Sequence, residues 1–479
     1  MERKLLGYWD GAGGAREVLK LAFPLMLSTS IATVQMFTDR VFLMWYDTDA
    51  MSGAMQGGIT AFAAIALFLG ITMYVSTFVA QYAGADKPHR VGPSVWQGIY
   101  FACISGGIML ALSWAGESIF AFIGHAPEIR AYEITYFRIM CIGATPVLLG
   151  ASLSCFFSGR GRTWPIFWVD LASCTVNVVL NYVMIFGRFG FPAWGLAGAA
   201  WATVIANVVR AVIYFAMFIG EGNEKLYRVR SGWRPEANLC RRMIRYGLPS
   251  GVQFCLDVMA FAFFLAVIGR MGSVEFAATT VVFQINHLAF MPMVGVGMAV
   301  GILVGQRLGE DKPDLAARTT WISALISLGY MTAVAVAFVA VPDIFLRPFA
   351  RYADAMEFGL LRDISVRLLW FVAFYSLFDT GNIIFASTLN GAGDTRFVMV
   401  MSVGLSWLVM VLPVWIVADR GLGLYWAWVF ATAYVCVLAV VLMVRVLQGR
   451  WMKMRVIERT GPAVPPVEIG TPTISADMP

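Results

Sequence analysis

The sequence predicts an all-α integral membrane protein of twelve transmembrane helices, arranged as two six-helix lobes related by pseudo-twofold symmetry. Three observations predict it. The first is composition. Of 479 residues, 59% are hydrophobic and only 13% are charged, with a mean hydropathy of +0.73. That charge is about half the usual quarter of a soluble chain. A chain so poor in polar side chains cannot cover a globule with them, which excludes a soluble enzyme. The second is run length. The apolar residues fall in runs of about 20 or more, the length a helix needs to cross the hydrocarbon layer. A transmembrane barrel would instead show short alternating segments. The third is internal repetition, described below.

The runs lie at 18–45, 55–82, 94–123, 131–157, 164–186 and 194–219, then at 247–271, 275–306, 317–341, 360–389, 396–418 and 423–446. Several exceed 25 residues and must tilt or project beyond the lipid. Pro24, Gly70, Pro146, Pro249 and Pro292 interrupt them, which membrane helices tolerate where neighbours re-satisfy the backbone. The division expected is a cytoplasmic N-terminal segment (1–16), an N-lobe (17–219), a basic inter-lobe loop (220–246), a C-lobe (247–447) and a polar, Pro-rich tail (448–479) that reads as disordered.

Lysine and arginine in the loops set orientation. One side collects 24 of them, including seven between Lys225 and Arg245; the other collects seven, from Arg130 to Arg420. This bias puts both termini and the inter-lobe loop in the cytoplasm of a multi-pass inner-membrane protein. The polar N-terminus lacks the short apolar core of a signal peptide. Seven cysteines show no CxxC or Cys/His spacing, so neither a disulfide frame nor a transition-metal site is expected. The net charge of +6 is spread among loops, a topology signal and not a nucleic-acid surface.

At an offset of 225, Pro24 matches Pro249, Gly70 matches Gly295, Gln81 matches Gln306 and Gly84 matches Gly309. Asp86-Lys87-Pro88 likewise matches Asp311-Lys312-Pro313. Seven residues further on in register, Gly159 and Gly161 match Gly391 and Gly393. Both halves hold six spans and start on the same side, so they are parallel repeats about an axis along the membrane normal. Two such lobes facing a cleft suit an alternating-access carrier.

A charge near the bilayer centre costs at least about 2.5–3.5 kcal/mol, so an intramembrane acid is a functional candidate. Four stand out: Asp39, Asp170, Asp257 and Asp379. Asp39 lies in the outer half of span 1. Asp170, Asn177 and Asn181 share one face of span 5, by spacings of seven and four. The asparagines offer hard carbonyl oxygens that with Asp39 make an N-lobe site for a small cation or proton. Asp170 sits at the depth of Arg210, so it is either functional or ion-paired. Asp257 in span 7 and Asp379 in span 10 both lie about 18–20 Å from the cytoplasmic edge. Gln253 is one turn before Asp257; Tyr375 and Asn382 share a face with Asp379. This C-lobe group suits a proton, a sodium ion or a cationic drug. Gln284, Asn286 and His287 in span 8 are further candidates for lining a cleft.

These residues carry a resemblance. FPLMLSTSIATVQMFTDRVFL, QYAGADKP, FFSGRGRTWPIF, VNVVLNYVMIFGRFGFPAWGLAGAAWATV, YGLPSGVQFCLD, VGQRLGEDKPD and LFDTGNIIFASTLNGAGDTRF resemble the MATE multidrug and toxic-compound extrusion transporters, NorM-like branch, over about residues 10–447. The resemblance implies the MATE/MOP-type transporter fold and a secondary antiporter. It would export cationic or amphipathic drugs in exchange for Na+ or H+, with no cofactor beyond that coupling ion, working as a monomer in the bilayer. It also implies cation-site roles for Asp39, Asn177 and Asn181, and for Thr203 in span 6. In the C-lobe it implies them for Tyr375 and Asp379, and for Asp257 where the branch usually has glutamate. The alternatives are a flippase for lipid-linked precursors and an integral-membrane transferase. The flippase would want a cationic cleft, and the mid-membrane charge here is mainly acidic; the enzyme would want a His/Asp or metal cluster at one interface, and none is seen in the sequence.

Overall fold

The computed structural model describes residues 9–123, 127–348 and 355–458. Their regular structure is all helical, with eleven helices long and apolar enough to span a membrane and one bent pair that makes a twelfth. In chain order the N-lobe holds α1 (Ala15–Tyr46), α2 (Asp49–Gly84), α3 (Pro88–Ala121), α4 (Ile129–Ile142 with Ala144–Ser158), α5 (Trp164–Phe186) and α6 (Gly195–Phe218). The C-lobe holds α7 (Ala237–Met271), α8 (Ser273–Gly309), α9 (Pro313–Ala340), α10 (Gly359–Ala392), α11 (Thr395–Asp419) and α12 (Leu424–Leu447). The halves of α4 meet at 43°. The bend falls at Gly143, where an added Cβ would meet Val204 Cγ2 at 2.4 Å, with Pro146 just beyond.

The repeat is visible in the packing. In the N-lobe α1 packs on α5, α2 and α3 on α4, and α6 on α4 and α5; in the C-lobe α7 packs on α11, α8 and α9 on α10, and α12 on α10 and α11. The lobes meet through α1 on α8 and α2 on α7, the same pairing read in both directions. Small residues let these backbones approach. A Cβ on Gly70 would lie 2.6 Å from Gly251 Cα, and one on Gly295 would lie 2.6 Å from the Met26 nitrogen.

The matched Asp-Lys-Pro tripeptides build matched turns. The Lys87 N–H reaches the Tyr82 carbonyl (3.0 Å) and the Lys312 N–H the Arg307 carbonyl (2.9 Å). Asp86 (φ 53°) and Asp311 (φ 55°) take the left-handed position, which aspartate tolerates better than most residues. Pro88 and Pro313 then open the next spans, where a missing N–H costs nothing.

Inter-lobe bonds gather on the face that carries the basic loops, here termed the basic face. Gln81 Nε2 donates to the Gly391 carbonyl (2.9 Å), and its counterpart Gln306 Nε2 donates to the Gly159 carbonyl (2.8 Å). A Cβ on Gly84 would sit 2.0 Å from the Gln306 oxygen, and one on Gly309 would sit 2.2 Å from the Gln81 oxygen. Tyr74 Oη donates to the Asn390 carbonyl on the same side, while Thr29 Oγ1 donates to the Met291 carbonyl and Cys255 Sγ to that of Ala63 nearer mid-depth. One apolar core crosses between lobes here, joining Leu25, Phe78 and Tyr74 to Val300, Leu303 and Leu389. Toward the other face the cores separate, around Phe120 and Phe137 in the N-lobe and around Phe264 and Trp428 in the C-lobe. The lobes are thus sealed at the basic face and diverge away from it.

Two expected boundaries change. The inter-lobe segment 220–246 is not all loop: Glu221–Tyr227 is a short helix and α7 already begins at Ala237. Leu239 and Met243, one turn apart, are buried, so an amphipathic stretch extends α7 below its apolar run. The tail expected from 448 is ordered through 458. Trp451, Val456 and Ile457 are buried, and the Val456 N–H donates to Gln81 Oε1 at 2.8 Å. Burial of the two aliphatic side chains is worth about 1.5–3 kcal/mol each, enough to hold a short strap. Residues 1–8 and 459–479 lie outside the described residues.

Candidate functional site

The N-lobe candidates form one connected chain. α1 brings Asp39 against α5, where Asn181 Nδ2 donates to the Asp39 carboxylate. The same Nδ2 donates to Asn177 Oδ1 (3.1 Å), Asn177 Nδ2 donates to Thr203 Oγ1 (3.3 Å), and Thr203 Oγ1 caps the Ala199 carbonyl (3.1 Å). The i, i+4 spacing of the asparagines stacks them on one face of α5, and both are fully buried. Asn181 Oδ1 is buried with no hydrogen-bond partner among the described residues. A carboxylate beside an unsatisfied amide oxygen is a donor set for a small hard cation, and the carboxylate alone can take a proton.

Asp170 stands apart from this chain. It accepts from Ser28 Oγ of α1 and, at 3.1 Å, from Tyr214 Oη of α6. No ion pair joins it to Arg210 among the described residues, so the pairing considered above does not form. The sequence pattern of acids and amides alone points to neither Ser28 nor Tyr214. The spacing of eleven from Ser28 to Asp39, three helical turns, is the signal that could have found Ser28.

In the C-lobe the two carboxylates are held separately. Ser402 Oγ of α11 lies 3.0 and 3.1 Å from the two oxygens of Asp257, and Gln253 Nε2 donates to it at 3.4 Å. Asn382 Nδ2 donates to Asp379 (3.4 Å) and to the Val435 carbonyl (3.1 Å). Asn286 Nδ2 donates to Tyr375 Oη at 3.3 Å, and Asn286 Oδ1 has no hydrogen-bond partner among the described residues. Tyr434 of α12 is within electrostatic reach of both Asp257 and Asp379. Of the remaining candidates on α8, Gln284 is exposed and His287 is half-buried.

Asp257 and Tyr375 border an aromatic cavity of about 150 Å³ with Phe261, Phe283, Trp428 and Tyr434. Part of its wall, Ser406 and Met410, comes from a π-helical turn at Ser406–Val411. Pro413 follows it and lacks the N–H that a regular helix would pair with Val409, which accounts for the widened turn. Aromatic faces beside a carboxylate attract organic cations. Ser402 and Tyr434 are the C-lobe residues that reading the sequence missed. The four-residue spacing of Ser402 and Ser406 in an otherwise apolar span is the signal for the first.

Comparison with known proteins agrees with this geometry. The family model MatE matches residues 24–183 and 249–416, one match per lobe. The probable multidrug resistance protein NorM of Bradyrhizobium diazoefficiens is 27% identical over 415 residues, 86% of this chain and 89% of that protein. The probable NorM of Pseudomonas syringae pv. tomato is 28% identical over 467 residues, 94% and 97% of the two chains. Among solved structures, a MOP-superfamily transporter from Pyrococcus furiosus superposes with a TM-score of 0.83 at 18% identity, over 91% of this chain and 96% of that one. An outward-facing multidrug resistance MATE transporter gives 0.82 at 18% identity, over the same shares. The two matched lobes, the pseudo-twofold packing and the shared fold lead to one conclusion: the chain belongs to the MatE family of membrane transporters.

Proposed function

We propose that the protein is a multidrug efflux antiporter that exports cationic or amphipathic organic compounds in exchange for sodium ions or protons. The observation that carries this reading is the Asp39–Asn181–Asn177–Thr203 chain, with its unsatisfied Asn181 oxygen, in a lobe that diverges away from the basic face. Its NorM relatives are named probable multidrug resistance proteins, which supports drug export. The basic face is cytoplasmic by its lysine and arginine excess, so the lobes open outward in this state.

A cation entering from outside reaches Asp39 and neutralises it. A bound organic cation then loses its electrostatic partner and leaves outward. Return requires the lobes to part at the basic face, which breaks the paired Gln81 and Gln306 bonds. The drive can be no larger than the difference in cation affinity between the two arrangements. Asp257 and Asp379 supply a second carboxylate pair for cation or substrate in the C-lobe.

The test is efflux of ethidium or norfloxacin from proteoliposomes of the purified chain under imposed sodium or proton gradients. One gradient should drive export and the other should not, which assigns the coupling ion. Export driven by neither gradient overturns the antiport reading.

A further inference from the structure

Where α7 enters the membrane on the basic face, a cavity of about 390 Å³ lies between Arg245 and Tyr246, the α10–α11 turn and the ordered strap 450–458. We propose that this cavity binds a phosphate oxyanion, as carried by the headgroup of an anionic phospholipid in the adjoining leaflet.

Charge is the first argument. Arg245, Arg396, Lys453 and Arg455 converge on the cavity from three separate segments of the chain. Arg455 is engaged by Asp311 at 2.8 Å. The carboxylate in the lining, Asp394, is engaged by Arg445 at 2.8 Å, from outside the cavity. Arg245, Arg396 and Lys453 have no acidic partner within ion-pair distance among the described residues. Three cations around one space repel each other unless an anion enters, and a phosphate group accepts from several guanidinium and ammonium donors at once.

Position is the second. Arg245 and Tyr246 immediately precede the apolar run of α7, so the cavity sits at headgroup depth. Basic pockets at this depth are where anionic headgroups bind. Arg245 and Tyr246 also lie close together, the guanidinium 5.8 Å from the ring centre.

Construction is the third. The strap does not merely pass the α10–α11 turn. Gly393 takes a φ of +105°, and a Cβ there would come within 2.8 Å of Val456 Cγ1. The strap therefore forms one wall of the cavity, and its Lys453 reaches the anion only when the strap is docked. An anion in the cavity bonds the strap to the base of the C-lobe, while Val456 bonds the strap to Gln81 of the N-lobe. Occupancy should therefore stabilise the state closed at the basic face.

The experiment measures the unfolding temperature of the purified full chain in neutral detergent against added short-chain phosphatidylglycerol, phosphatidylcholine or inorganic phosphate at matched ionic strength. A saturable rise with phosphatidylglycerol is expected for the native chain. The concentration giving half the rise should increase about fivefold for each charge removed, in Arg245→Gln, Arg396→Gln and Lys453→Gln singly and together. If inorganic phosphate gives the same saturable rise, free phosphate is the source; if only phosphatidylglycerol does, the lipid is. An equal rise with phosphatidylcholine, or an unchanged response in the variants, overturns the proposal. The exposed single variants decide the matter even if the triple variant fails to fold.

Discussion

The two lobes use one scaffold to hold acid in different ways. In each, the first helix carries a carboxylate and the fifth helix of the lobe holds it: Asn181 of α5 for Asp39, Ser402 of α11 for Asp257. From there they diverge. The N-lobe continues into a chain of amides ending at Thr203, all polar and tightly linked. The C-lobe breaks the polar path into two separate carboxylates and lines the space beside one of them, Asp257, with aromatic rings. The acids themselves are not matched by the repeat: at the offset of 225, Asp39 falls at Phe264 and Asp257 at Ala32. On the proposed reading the N-lobe set takes a small hard cation and the C-lobe cavity a flat apolar one.

The largest test of this contrast is charge removal. Asp39→Asn and Asp379→Asn should each reduce ethidium export from loaded cells to background, with membrane expression unchanged. Normal export in both variants would show that neither carboxylate takes part. The next effect sharpens the division of roles. Asn181→Ala and Ser402→Ala each remove one hydrogen bond to a charged group, worth about 1.5–3 kcal/mol, or roughly tenfold or more. Loss of Asn181 should weaken dependence on the coupling ion. Loss of Ser402 should raise the half-saturating concentration of organic substrate. The reverse pattern, read from efflux kinetics in proteoliposomes, would exchange the roles assigned to the lobes.

A third test asks whether the lobes remain equivalent where they meet. Gly84→Ala and Gly309→Ala each drive a Cβ into a backbone oxygen across the interface, at 2.0 and 2.2 Å. Overpacking of this kind costs about 1–3 kcal/mol. Both should lower the unfolding temperature by similar amounts, and a large difference between them would mean the interface is not symmetric in energy.

The smallest effect concerns the strap. Burial opposes the charge on Glu458, but hydrogen bonds from its own backbone N–H and then from Tyr82 and Arg242 hold its carboxyl below the usual range. A carboxyl depressed in the folded state contributes stability above its unfolded value and loses it as pH falls through the folded one. Protection of the strap in hydrogen exchange should therefore be full near neutrality and decline on acidification below the usual carboxylate range. Glu458→Gln should remove that dependence at a cost of about 1 kcal/mol or less, because the group is half exposed. Unchanged acid sensitivity in that variant would point to another group.

Much of this was legible in the sequence because hydrophobic length and repetition are strong signals. Twelve runs and the Gln81/Gln306 and Asp86/Asp311 matches gave span number and symmetry. The asparagines of α5 were found through their four-residue spacing beside an intramembrane acid. What stayed hidden depended on which helices touch. Ser28 and Tyr214 became partners of Asp170 only through the packing of α1, α5 and α6, and no residue spacing excludes an Arg210 pair in advance. The strap was hidden for another reason. Its setting is polar and proline-rich, and Trp451, Val456 and Ile457 are too few and too scattered to register as a periodic apolar pattern. They are buried because the two lobes together provide a surface, which no local reading of the chain contains.

The reciprocal glutamines have one more consequence. Each reaches from its own lobe to the turn of the other, so a parting of the lobes that keeps their pseudo-twofold relation stretches both bonds together. Opening at that face should accordingly be abrupt and concerted, with little time spent ajar. On the antiport reading this limits leakage, because a pathway closed at one end passes no stray ions down their gradient.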